Sequence, residues 1–250
     1  MPLEQATLDQ FLDTVHRFVD ERLIPAEAEV DASDKVPDDI IAEMKKMGFF
    51  GLTIPEQYGG LGLSPTEEVE VAWAITHAAP AFRSAFGTNV AIGSQGLVID
   101  GTEEQKQRYL PGMASGDIIA SFALTEPSIG SDAASVKTRA DKDGNGYVLN
   151  GTKRFITNAP AADTFTVMAR TDQDEKGARG VSAFIVEAGT PGIRLGTPEN
   201  KMGQKGAHIC DVIFEDCRIP GDALIGGVEG QGFKTAMKVL DRGRLHVAAT

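Results

Sequence analysis

The hydrophobic period of this chain changes near Asp117, and that change constrains its fold more than any other feature. Upstream the apolar residues recur at helical spacing: Leu8, Phe11, Leu12, Val15, Phe18, Val19 and Leu23 form one amphipathic run, which Pro25 is expected to stop. A second helix is expected from about Asp38 to Met47, followed by an irregular connection rich in glycine. Ser64-Pro65-Thr66-Glu67 reads as an N-cap, a first-turn proline and a capping-box glutamate, so a helix starts there. Thr102-Glu103-Glu104 opens another, which Pro111 and Gly112 are expected to close. Downstream the runs become short and β-type: Ile118 to Leu124, Ser135 to Ala140, Tyr147 to Leu149, Arg154 to Thr157, Phe165 to Ala169, Val181 to Val186 and Asp211 to Phe214. Asp143-Gly144-Asn145-Gly146 and Asn150-Gly151 read as hairpin turns, because Asn and Gly accept positive φ at little cost. Tight turns between neighbouring strands imply an antiparallel sheet. A last helix begins near Gln231 and is still in register at Thr250. The expected fold is therefore α+β: helical over 1–120, antiparallel β over 121–229, then at 230–250 the first helix of a domain cut short.

Charge follows the same division. The net charge is −12 over 250 residues; residues 1–120 hold 8 Lys and Arg against 20 Asp and Glu, and residues 121–250 hold 16 against 16. This balance excludes non-specific nucleic-acid binding, which needs a positive field, yet leaves the second half able to hold an anionic ligand. No run approaches the roughly 20 apolar residues that span a bilayer. Met1-Pro2-Leu3-Glu4 begins neither a signal nor a transit peptide, so no membrane association and a cytoplasmic location are expected. Cys210 and Cys217 are too few for a disulfide framework and read as small buried hydrophobes; no metal site is expected.

Neither Gly-x-Gly-x-x-Gly after a first strand, nor a P-loop, nor a Gly-x-Ser-x-Gly elbow occurs. His16, His77, His208 and His246 are scattered, without metal or triad spacing, and read as surface or core residues. Gly226, Gly227, Gly230 and Gly232 could cradle a phosphate or simply connect two domains. One segment carries a stronger signal. Phe122-Ala123-Leu124-Thr125-Glu126-Pro127-Ser128-Ile129-Gly130-Ser131-Asp132 ends a strand in a turn dense with hydroxyls, where Gly130 lets the backbone approach a bulky ligand. On residue types alone it is either a ligand loop or a decorated surface loop.

In context this stretch resembles the signature of the acyl-CoA dehydrogenase family, a hydrophobic strand followed by Thr-Glu-Pro-x-x-Gly-Ser-Asp. The block from Tyr147 to Asn158 resembles the family's next conserved segment, Leu52 to Gly60 its N-terminal loop, and Leu240-Asp241-Arg242-Gly243-Arg244 the start of its C-terminal helical bundle. Lys201-Met202-Gly203 and Ile219-Pro220 also sit at expected points. Departures are Phe155, where many members have Trp, and Lys205 and Ala207, where Arg and Ser are common.

The resemblance implies an FAD enzyme that oxidises the α,β bond of an acyl-CoA thioester. It implies FAD contacts from Phe122, Ala123, Leu124, Thr125, Ser131, Phe155, Ile156 and Thr157, and substrate contacts from Ser131, Asp241 and Arg244. It further implies an electron-transfer flavoprotein as electron acceptor and a homodimer or homotetramer. Members place their catalytic glutamate either at the position that is Gly243 here or in the C-terminal domain; no catalytic residue is therefore expected within 1–250, and the base is expected beyond Thr250. An acyl-CoA oxidase or flavin monooxygenase of the same fold, or a non-catalytic FAD and acyl-CoA binder, are the alternatives.

Overall fold

The computed structural model describes residues 3–250; Met1 and Pro2, read above for targeting signals, lie outside them. Helix α1 (Gln5–Phe18) does not end near Pro25. It passes through a π-helical turn, Val19–Leu23, into α2 (Ile24–Ser33). The wider turn leaves Pro25 in the first turn of α2, where no intrahelical N–H is required. Helix α3 spans Asp38–Lys46, and α4 (Pro65–Ile75) carries the expected capping box between Ser64 and Glu67. Two further helices escape the sequence pattern, α5 (Pro80–Thr88) and α6 (Gln95–Asp100), joined through a second π-helical turn at Asn89–Gly93. Their Gly, Thr, Asn and Ser residues are weak helix formers, so packing decides them. Helix α7 (Glu103–Ser115) opens on a Thr102/Gln105 capping box, runs through Pro111 and closes at Gly116, whose φ of +78° suits glycine. The expected stop at Pro111 and Gly112 is thus one turn early.

The sheet contains β1 (Ala120–Ala123), β2 (Arg139–Asp143), β3 (Gly146–Thr157), β4 (Thr164–Arg170), β5 (Val181–Glu187), β6 (Ile193–Leu195) and β7 (Ile209–Ile219). It is predominantly antiparallel, as expected, through β2–β3, β3–β7, β6–β7 and β4–β5. The exceptions are parallel: β1 with β4, and a single bridge from β2 to β4. The Asp143 to Gly146 turn closes the β2–β3 hairpin. Asn150-Gly151 does not turn the chain; it sits inside β3 at a bulge, so the two runs expected on either side are one strand. The run expected from Ser135 begins as a strand only at Arg139.

Helix α8 (Gly232–Ala248) starts where expected and packs on β5, α4 and α6. Gly226, Gly227 and Gly230, all at positive φ, make the connection that precedes it. Three apolar clusters result. One lies within the helices around Phe49, Phe82 and Phe86. One lies behind the sheet around Phe165, Phe184 and Phe214 and includes both buried cysteines. The third, with Leu97, Leu110, Phe122, Met168, Ile185 and Val239, is shared by helices, sheet and α8. None of the helices is long and apolar enough to cross a membrane among the described residues.

Candidate functional site

The end of β1 is locked before it reaches the turn that follows it. Glu126 is buried, and its carboxylate accepts from the backbone N–H of Lys137 and Thr138, both at 2.8 Å, and from Lys153 Nζ at 2.8 Å. Lys153 Nζ also donates to the Leu124 carbonyl at 3.2 Å. Burial alone would raise the Glu126 pKa, but the Lys153 charge and these donors outweigh it and hold the carboxyl below its ordinary value. Desolvation pushes the ammonium of Lys153 down to about 8, partly offset by Glu126, so it stays protonated at neutral pH. Arg154 N–H donates to the Thr125 carbonyl at 2.8 Å. The turn is thereby tied to β3 on both sides of Thr125.

A second bulge, between Lys153 and Ile156, shapes the other wall. Phe155 there has φ +58°, a left-handed conformation that costs a bulky side chain roughly 1–3 kcal/mol. The bulge turns its ring outward, 54% exposed, with the Arg154 guanidinium 5.4 Å from the ring centroid. Just beyond, Asn158 donates from Nδ2 to the Ser84 carbonyl at 2.7 Å, fastening the end of β3 to α5.

These walls enclose a cavity of about 560 Å³. Phe122, Leu124, Thr125, Ser131, Phe155, Ile156, Thr157 and Arg244 line it, so eight of the sequence-derived site residues converge, although the loops are far apart in the chain. Thr88 and Ile92 from the helical part and Phe233, Met237 and Leu240 from α8 complete it. The hydroxyls of Thr125, Ser131 and Thr157 have no hydrogen-bond partner among the described residues. Ala123 does not join them: strand alternation turns its side chain to the core on the opposite face. Asp241 lies outside the lining and pairs with Arg244, both largely exposed, so the pair is screened and leaves Arg244 available.

A second cavity, about 510 Å³, shares Thr88, Ile92, Thr157, Leu240 and Arg244 with the first and extends between α5 and α8. Gly243 borders it; a Cβ there would come 2.7 Å from Ile92 Cγ2, so a side chain would need Ile92 to move. His246 lines it too, and sequence reasoning missed what this residue does. It is fully buried, with Nδ1 3.0 Å from Glu68 Oε1, while Arg242 Nη2 lies 3.3 Å from Glu68 Oε2. Nothing in the sequence links His246 to a glutamate on α4. Groups of three or more potential metal-binding side chains are absent among the described residues.

The family model for the acyl-CoA dehydrogenase N-terminal domain matches residues 5–117, and that for the middle domain matches residues 121–217. An acyl-CoA dehydrogenase of Bacillus subtilis is 40% identical over 235 residues, 94% of this chain and 62% of that protein. The mitochondrial isovaleryl-CoA dehydrogenase of Pongo abelii is 40% identical over 242 residues, 96% of this chain and 57% of its own. A chain in the solved structure of the electron transferring flavoprotein of Acidaminococcus fermentans superposes with a TM-score of 0.93 at 39% identity, covering 100% of this chain and 65% of that one. The present chain thus spans about three fifths of the length of the relatives it matches. With both domain models, the relatives and the fold in agreement, the chain belongs to the acyl-CoA dehydrogenase family.

Proposed function

We propose that this chain holds FAD in the first cavity and an acyl-CoA thioester alongside it, and that the whole protein performs α,β-dehydrogenation to the 2-enoyl-CoA. The observation that carries this reading is Phe155. A strained, exposed aromatic face beside three unpartnered hydroxyls suits a large flat heteroaromatic ring with polar edges. Members of the family are FAD-dependent, and bound FAD would supply the hydride acceptor. Phe155, Ile156, Phe122 and Leu124 pack against the ring system, and Thr125 and Thr157 donate to its edge. Ser131 and Arg244 meet the anionic or polar part of the ligands; Arg244 brings directed donors already oriented by Asp241. Ala123 takes part through its backbone alone.

Asp132 is the carboxylate that lines the first cavity, and the Ser135 hydroxyl donates to it at the exposed rim. Gly243 offers none, and on this reading no residue within 1–250 acts as the general base. The division into 1–120, 121–229 and 230–250 follows the site: the first two form its walls and the last its roof. An electron-transfer flavoprotein as acceptor and a dimeric or tetrameric whole protein belong to the same reading.

FAD titration followed by flavin fluorescence tests it. Wild-type chain takes up FAD, and Thr157→Ala and Phe155→Ala each weaken it by about tenfold, the scale of one lost polar or stacking contact. In the complete enzyme Arg244→Ala raises the KM for the thioester. Unchanged FAD affinity in both variants together with an unchanged KM would show the site assignment to be wrong.

A further inference from the structure

The second bulge of β3 brings together two side chains that a regular strand would send to opposite faces. Arg154 and Phe155 are neighbours in the chain, yet the Arg154 guanidinium lies over the Phe155 ring, 5.4 Å from its centroid. Phe155 lines the first cavity and Arg154 does not, so the ring stands between the cation and the space a ligand would fill. Two contacts hold the arginine there. Its backbone N–H donates to the Thr125 carbonyl at 2.8 Å, and its Nε donates to Asp211 Oδ1 on β7 at 3.3 Å. The Arg154 and Asp211 side chains are 40% and 21% exposed and meet through a long contact, so the carboxylate offsets only part of the positive charge.

The other charges about this cavity are placed differently. Lys153 and Glu126 neutralise each other beneath the turn, Arg244 pairs with Asp241, and Asp132 sits at the exposed rim. Arg154 is the cation that backs the aromatic wall. A fixed charge behind such a wall does not act equally on two charge states of one ligand. In the dehydrogenation, hydride leaves the β-carbon for the cofactor while the α-proton goes to the base. Two electrons and one proton thus reach the cofactor, which gains one negative charge. A cation across the ring stabilises that form and does nothing comparable for the neutral oxidised one, whereas Phe155 presents the same apolar face to both. By linkage, tighter binding of the reduced form is a higher reduction potential.

Resting on the FAD reading above, we propose that Arg154 is a positioning residue that acts through Phe155: its charge tightens the binding of reduced FAD relative to oxidised FAD and raises the reduction potential. Asp211 moderates the effect by offsetting part of that charge.

The test is the midpoint potential of FAD bound to this chain, read by equilibration with a reference dye, beside the affinity for oxidised FAD. Arg154→Met lowers the ratio of the reduced to the oxidised affinity at least about threefold, a fall of about 14 mV for a two-electron couple, with the oxidised affinity little changed. Arg154→Lys keeps the charge and stays closer to wild type. Asp211→Asn moves the potential the other way, upward, and both shifts shrink in high salt. Opposite signs separate charge from disturbed packing, which would move the two variants together. Potentials equal to wild type in Arg154→Met and Asp211→Asn, or a fall in both, overturns the proposal. If Arg154→Met does not fold, the sign of the Asp211→Asn shift decides. If the wild-type chain takes up no FAD, the FAD reading itself fails and this inference falls with it; normal uptake with unmoved potentials sinks this inference alone.

Discussion

At the scale of residues, the turn after β1 depends on side chains that do not line the cavity. Lys153 and Glu126 are a buried ion pair, 0% and 4% exposed, whose hydrogen bonds define where Leu124 and Thr125 sit. Lys153→Met leaves a buried carboxylate without its counter-charge and is expected to cost about 3–5 kcal/mol, measured by urea unfolding at neutral pH. The pH dependence has a definite sign. Because the folded Glu126 pKa lies below the ordinary 4.5, its stabilisation is complete above that value and is lost as pH falls through the folded pKa. Glu126→Gln is therefore less stable at about pH 6, and its stability falls less steeply than that of wild type between about pH 5 and pH 3.5. A parallel fall in the two proteins would contradict the pair's role. Thr125, Ser131, Phe155 and Thr157 were singled out through short segments that resemble the family's, and they line one cavity. His246 was not, since a histidine's meaning depends on its partner, and that partner is Glu68 on another helix.

At the scale of elements, local chemistry and tertiary context divide cleanly. Both capping boxes, Ser64 with Glu67 and Thr102 with Gln105, form as their spacing requires, because each satisfies its own backbone donors within one turn. Pro25, Pro111 and Asn150-Gly151 behave differently from their local preference. Proline tolerance was decided by the π-helical turn before Pro25 and, for Pro111, by burial of Tyr109, Leu110 and Met113 around it. Gly151 reads as half of a hairpin turn, yet β7 supplies a partner on both sides of it, so the strand continues and absorbs the extra residue as a bulge. That bulge requires glycine: φ is +152°, and a Cβ would come 2.6 Å from Thr138 Oγ1 and 2.8 Å from Thr138 Cα. Gly151→Ala is expected to lose about 1–3 kcal/mol, read as a lower urea midpoint. Gly144→Ala in the β2–β3 turn, with nothing within 4 Å of its Cβ, isolates the cost of φ alone and should lose less.

At the scale of the whole molecule, the helical part and the sheet are joined by a few buried polar side chains laid over one shared apolar cluster. Asn89 is 0% exposed; it donates to the Phe50 and Met113 carbonyls at 3.1 and 3.0 Å and accepts from Ala120 N–H at 2.9 Å. Thr166 Oγ1 to the Gly93 carbonyl at 2.9 Å and Asn158 to Ser84 repeat the device closer to the cavities. Asn89→Ala strands three buried backbone groups and should cost about 3 kcal/mol or more by chemical denaturation, a larger effect than either glycine substitution. A loss under about 1 kcal/mol would mean that the apolar cluster alone holds the two parts together. The sequence by itself determined the change from helix to sheet near Asp117, the capped helix starts, and the short motifs whose residues line the first cavity. Those features are short-range: hydrophobic period, caps and turn residues act within a few positions. Only the tertiary structure decided that Ala123 points away from the cavity, that Phe155 is held left-handed at a bulge, and that His246 meets Glu68 beside Gly87. Each of these rests on a partner strand or helix many residues distant, and such pairings leave no periodic trace in the chain.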